Sequence, residues 1–215
     1  MEKEPTPYKL EPVERLSVQE PIVAYGAKSR LYTYADYLSW PDDKRRELIR
    51  GLIYEMFGAP TRWHAEISVK ILMWISTFIS RRKRKCKVYH APFDVRLPNR
   101  KGEKANDKIY SVVQPDICVV CDLSKLDDAG CIGAPDLIVE VQSPSTAFKD
   151  ANDKLSLYEE SGVREYWIVF KEGVTVYTLQ SDGRYDIGKT YELEGKVPVG
   201  IFEGLEIDLH KLFNE

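Results

Sequence analysis

Apolar and polar positions alternate along the chain with two different periods. Between residues 61 and 82, Ile67, Ile71, Trp74, Ile75, Phe78 and Ile79 recur three and four apart. That spacing predicts an amphipathic helix with one buried face. Further on, short β-branched runs bounded by Pro, Gly and Asp read as buried strands. They are Ile117-Cys118-Val119-Val120, Leu137-Ile138-Val139-Glu140-Val141, and residues 164–170. A helix at 150–161, stopped by Gly162, falls between the last two. Strand, helix, strand implies a parallel pair with a right-handed crossover. Residues 87–97 read as one strand, 46–56 as a tight hairpin or bent strand about Gly51, and 174–179 with 185–193 as a hairpin. Thr33 and Asp36 suit the start of a short helix that Pro41 ends. Residues 122–133 form a connector with a short helical turn near Lys125. Residues 1–30, with Pro5, Pro7, Pro12 and Pro21, read as an extended arm, and 31–215 as one domain. The predicted class is α/β, a mixed twisted central sheet flanked by helices.

Composition narrows this picture only a little. The 215 residues are 43% hydrophobic and 30% charged, enough for one domain with a sizeable core. A net charge of −3 argues neither for nor against nucleic acid, so any basic face must be local. The apolar runs fall far short of a membrane span, and no charged-then-apolar signal segment follows Met1. Cys118 and Cys121 form a CxxC, but on a strand they point to opposite faces, and no second pair stands at zinc spacing. Ordinary core or surface thiols in a reducing cytoplasm are expected, with no membrane partner.

Carboxylates within the apolar runs carry the candidate chemistry. Asp116 opens one strand and Glu140 lies near the end of the next. A carboxylate there is costly to desolvate unless a cation meets it. If the strands are neighbours, both acids converge on one ion, and oxygen-only ligation suits magnesium or manganese. The bland alternative is a strand-end cap plus a buried ion pair. Asp94 faces away from Phe93 and Val95, either toward the acidic site or toward water. The run Arg81-Arg82-Lys83-Arg84-Lys85 suits the negative end of a helix and could also hold phosphates.

Several motifs in order carry a family resemblance: GLIYEM, APFDVRL, VVQPDICVV, GAPDLIVEVQSPST and Gly-Val-x-Glu-Tyr-Trp-Ile-Val. Over residues 31–212 the chain resembles the Uma-type (Uma two) restriction-endonuclease-like family of the PD-(D/E)XK nuclease superfamily. The resemblance implies a restriction-endonuclease-like core and a magnesium-dependent endonuclease acting on DNA. Asp116, Glu140 and the Val141 carbonyl would hold the metal, with Glu55 an additional acid and His64 near the catalytic opening. Where the common motif has a lysine, two residues after the glutamate, this chain has Gln142. An amide orients water but carries no charge. Lys154, on the following helix, is the candidate replacement; its bland reading is an exposed residue pairing with Asp150 at i,i+4. A catalytically silent nucleic-acid-binding or assembly module of the same fold is the alternative. A homodimer is left open.

Overall fold

Strand pairing divides the expected central sheet in two. The computed structural model describes residues 30–41, 44–56, 58–99, 102–143 and 146–214. The N-terminal arm, apart from Arg30, lies outside them. The first half of the chain forms α1 (Tyr34–Tyr37), β1 (Arg46–Ile49), β2 (Leu52–Glu55), α2 (Arg62–Arg81), β3 (Lys87–His90), β4 (Val95–Arg96), β5 (Val112–Val113) and β6 (Ile117–Val120). Then come β7 (Leu126–Asp127), β8 (Gly130–Ile132), β9 (Leu137–Val141), α3 (Ala147–Lys149), a π-helical turn (Asp150–Lys154) and α4 (Leu155–Ser161). The chain closes with β10 (Glu165–Phe170), β11 (Gly173–Thr178), β12 (Lys189–Glu192), β13 (Lys196–Pro198), β14 (Glu206–Asp208) and α5 (Leu209–Asn214). One sheet runs β2-β1-β5-β4-β8-β7 and the other β12-β11-β10-β9-β6-β3, with β13-β14 a separate pair. Both large sheets are mixed: β9/β10 and β4/β8 are parallel and their other pairs antiparallel.

The single strand expected over 87–97 is two, β3 in one sheet and β4 in the other. Pro92 lies between them and has no N–H with which to continue the β3 ladder. The expected hairpin at 46–56 is present. Its two-residue turn, Arg50-Gly51, has positive φ at both positions, as a type I′ turn requires. In the connector, a 3₁₀ turn at Leu123–Lys125 leads into a small β7/β8 hairpin.

Three apolar clusters hold these layers. Thr61 caps α2 by accepting from the His64 N–H, and the helix buries Ile67, Ile71, Ile75 and Ile79 at strict four-residue spacing. They pack on Ile117, Val119, Val139, Val141, Trp167 and Val169 and on C-terminal residues such as Phe202 and Leu209. Burying one such aliphatic side chain contributes about 1.5–3 kcal/mol. The opposite face of the same strands, through Cys118, Ile138, Tyr166 and Ile168, meets Ile49, Tyr54 and Val95 of the other sheet and Leu157 and Tyr158 of α4. The far face of that other sheet packs Leu48, Ile109 and Val112 against Tyr34.

Cysteine usage departs from the expectation of four free thiols. Lys87 pairs with Val120, so Cys86 and Cys121 stand opposite each other one step further along, and they are joined as a disulfide. Cys118 and Cys131 are buried free thiols.

Candidate active site

Asp116 immediately precedes β6, and Glu140 stands on its antiparallel neighbour β9. Ile117 pairs with Val139, which puts Asp116 opposite Glu140 at the same end of the sheet. The backbone N–H of Val141 donates to Asp116 Oδ2 at 2.7 Å, and His64 Nε2 lies 3.0 Å from the same oxygen. His64 reaches it because the first turn of α2 runs past this end of β6. Burial alone would lower the His64 pKa; the hydrogen bond and charge of Asp116 outweigh it, and the net shift is upward.

Behind this pair lies a buried charged network. Lys154 Nζ donates to Glu140 Oε1 at 2.7 Å and lies 2.9 Å from Glu47 Oε1. Lys149 Nζ donates to Glu47 Oε2 at 2.7 Å, and Gln114 N–H donates to Glu47 Oε1 at 2.9 Å. The Tyr158 hydroxyl donates to Glu140 Oε1 at 2.8 Å. Lys154 is 2% exposed and Glu47 fully buried, so the picture of Lys154 as an exposed i,i+4 partner does not hold. Asp150 is buried as well; its Oδ1 lies 4.0 Å from Lys154 Nζ, and that one oxygen has no hydrogen-bond partner.

The π-helical turn explains how two lysines five residues apart reach one glutamate. In an α-helix five residues rotate about 140° past a full turn. The i→i+5 pattern of a π turn brings such residues back to one side. Side chains engage the backbone carbonyls there: Tyr166 hydroxyl donates to the Asp150 carbonyl, Asn152 Nδ2 to that of Phe148, and Ser156 hydroxyl to that of Asn152. Gly162, with φ 86°, ends α4 in the left-handed region.

Electrostatics sort the acids. Burial would raise Glu47, but the charges of Lys149 and Lys154 prevail and pull it down to about 2. Burial pushes Glu140 up to about 8, and Asp150, Asp116 and Glu47 add to the rise while Lys154 opposes it. Lys154 is itself shifted upward: Glu140, Glu47 and Asp150 outweigh its own desolvation. Of the two acids on Lys154, Glu47 is therefore the ionised counter-ion. Burial and the neighbouring acids favour the protonated form of Glu140.

The crowding of Asp116, Glu140 and Asp150 that drives this shift marks a place where a cation would relieve like-charge repulsion. The donors are oxygens, which suit magnesium or manganese. Among the described residues no group of three or more His, Cys, Asp or Glu side chains could hold a metal ion by itself. Magnesium commonly takes one or two carboxylates and completes its shell with water and substrate oxygens, so the pair Asp116 and Glu140 fits.

The sequence matches the Uma2 family, described as "putative restriction endonuclease", over residues 34–210. The chain belongs to the Uma2 family. A curated relative, the uncharacterized protein slr1290 of Synechocystis, is 28% identical over 153 residues, which is 69% of this chain and 74% of that protein. A crystal structure described as "a putative nuclease belonging to DUF820" from Anabaena variabilis is similar in fold, with a TM-score of 0.66 at 19% identity. The match covers 85% of this chain and 97% of that one. Membership supports a nuclease-like function.

Two acids suggested for the Uma2 site stand elsewhere. Glu55 pairs across the hairpin with Arg46, and its carboxylate meets Lys44 Nζ at 3.2 Å. Side chains alternate along a strand, so the hairpin acid that faces the cluster is Glu47, whose cross-strand partner is Tyr54. Asp94 precedes β4 and accepts from the Tyr34 and Tyr37 hydroxyls and, at 2.9 Å, from Gln114 Nε2. Gln142 Nε2 donates to the Ala147 carbonyl at 3.4 Å, tying the strand end to the start of α3. The Arg81–Lys85 run begins in the last turn of α2, seventeen residues beyond His64 and so roughly 25 Å along the axis. It lies away from the cluster. No helix among the described residues is long and apolar enough to cross a membrane.

Sequence reasoning missed Glu47, Lys149, Asp150 and Tyr158. A signal for two of them was present, since Asp150, Lys154 and Tyr158 stand four apart and share a helix face.

Proposed function

We propose that this Uma2 chain is a magnesium- or manganese-dependent endonuclease that hydrolyses DNA phosphodiester bonds. The observation that carries the reading is the meeting of two strand-borne carboxylates with a buried lysine, Nζ of Lys154 lying 2.7 Å from Glu140. Asp116, Glu140 and the Val141 carbonyl would hold the metal. When bound, it supplies a Lewis acid for the phosphate and a water of lowered pKa.

The chain's own groups do the rest. Lys154 offers an ammonium to the charge that develops on the phosphoryl oxygens during in-line attack. Glu47 holds that ammonium charged and in place. His64 and the Val141 N–H fix one oxygen of Asp116, and Tyr158 fixes one oxygen of Glu140. With Gln142 neutral, Lys154 supplies the positive charge from the helix rather than from the strand.

The test is cleavage of labelled single-stranded and duplex DNA with magnesium and with manganese, beside Asp116→Ala and Glu140→Ala. Wild type should cut only with a dication. Both variants should lose cutting and manganese binding while their unfolding remains cooperative. Manganese bound as tightly by either variant as by wild type would remove the metal assignment.

A further inference from the structure

The opening of the cluster carries one feature that the hydrolytic reading does not use. Of all the described Phe, Tyr and Trp side chains, only Phe148 is largely exposed, at 61%. It sits on α3 directly before Lys149, whose ammonium is in the buried network. It also directly follows Ala147, whose carbonyl accepts from Gln142. Gln142 in turn follows Val141, the residue that holds Asp116. Among the described residues, the exposed aromatic ring is thus carried by a segment anchored to the cluster on both sides, through the Ala147 carbonyl and the Lys149 ammonium.

An exposed phenyl ring has no polar atom to satisfy and gains by being covered. Beside a phosphate site, the complementary flat surface is a nucleobase, and base–aromatic stacking is tolerant of sequence. We propose that Phe148 stacks on an unpaired base next to the scissile phosphate, and that the preferred substrate is single-stranded DNA. This rests on the hydrolytic reading above. Two observations favour a single strand over a duplex. A base within a duplex already has both faces stacked, and exposing one costs a few kcal/mol. The reacting groups are also recessed. The Asp116 and His64 side chains are 18% and 17% exposed, and Lys154 and Glu140 lie deeper still. A flexible strand can bring a phosphate into that recess, whereas a duplex presents its phosphates on a stiff cylinder.

The experiment measures binding of a fluorescein-labelled DNA 12-mer, single-stranded and duplex, to the full chain with calcium in place of magnesium. Phe148→Ala should weaken single-strand binding roughly tenfold, while Phe148→Trp keeps it. Duplex binding should be weaker in wild type and indifferent to both changes. With an abasic nucleotide at the stacked position, wild type and Phe148→Ala should bind alike. Equal single-strand affinity of wild type and Phe148→Ala overturns the contact, as does an equal loss on duplex. A wild-type protein that cleaves with magnesium while Phe148→Ala binds unchanged defeats the contact alone. One that binds as described but never cleaves defeats the hydrolytic reading alone. Failure to bind any strand defeats both.

Discussion

On one face of the sheet that contains β6, β9 and β10, Val139, Val141, Trp167 and Val169 meet the isoleucines of α2. The buried acid on that side, Glu165, accepts from neutral donors: Trp167 Nε1 at 2.7 Å and Ile201 N–H at 2.9 Å. On the other face, Ile138 and Tyr166 give way toward the strand ends to Glu140, and beside it Glu47, Lys149, Asp150 and Lys154 are buried together. The same strands thus build an apolar face that stabilises and a second face that concentrates desolvation cost at one end. Buried ion pairs seldom repay that cost in stability. Their gathering in one place, beside the recessed but partly exposed Asp116 and His64, points to chemistry rather than to folding.

The sharpest way to break this contrast is a deletion on each face. Glu47→Ala leaves two buried ammonium groups short of a carboxylate and should lose about 3–5 kcal/mol of stability. Ile75→Ala opens a cavity and should lose about 2–5 kcal/mol. Denaturant titration will give losses of similar size, but cleavage per folded molecule should collapse only for Glu47→Ala. If Ile75→Ala lowers it equally, the faces are not separable.

Next in size is the lysine itself. Lys154→Ala should slow cleavage on the order of a hundredfold, as loss of one electrostatic stabiliser does. Manganese affinity by calorimetry should barely move, because lysine is not a ligand. Gln142→Lys in that background should restore part of the rate by returning charge to the strand. Full activity of Lys154→Ala would demote the network to scaffolding.

The smallest effect is on pH. Glu140, pushed up to about 8, must lose its proton before it can serve as a ligand. Manganese affinity should therefore climb by up to about tenfold per pH unit toward pH 8 and level off above it. Apo stability has the opposite sign. The folded protein keeps a proton that the unfolded chain releases near 4.5, so this contribution is present below 4.5 and lost as pH rises through 8. Glu140→Gln should flatten both curves. A flat affinity profile in wild type would mean that Glu140 is already ionised.

The parts of the site legible in sequence were those that broke a local pattern. Asp116 and Glu140 stood out as charges in apolar runs, and the missing strand lysine directed attention to Lys154. Glu47 was hidden by parity: in a hairpin with acids at 47 and 55, only the register says which one faces inward. Lys149 was hidden by the helix period, since α spacing turns it away from Lys154. The division into two sheets was not visible because β4 and β5, which link strands across the second sheet, are two residues long each. Runs that short carry no period.

The π-helical turn makes this stretch sensitive to length as well as to chemistry. Rewinding residues 150–154 as ordinary α-helix with all five kept would swing everything before them about 100° around the axis relative to Lys154, and Lys149 would leave Glu47. Taking out one residue while the winding becomes ordinary would instead leave the two lysines four apart, about 40° from each other on one face. Phe148 would keep its side of the helix with Lys149. Length changes at Ala151 should therefore be unequal. One residue fewer should be tolerated far better than one residue more.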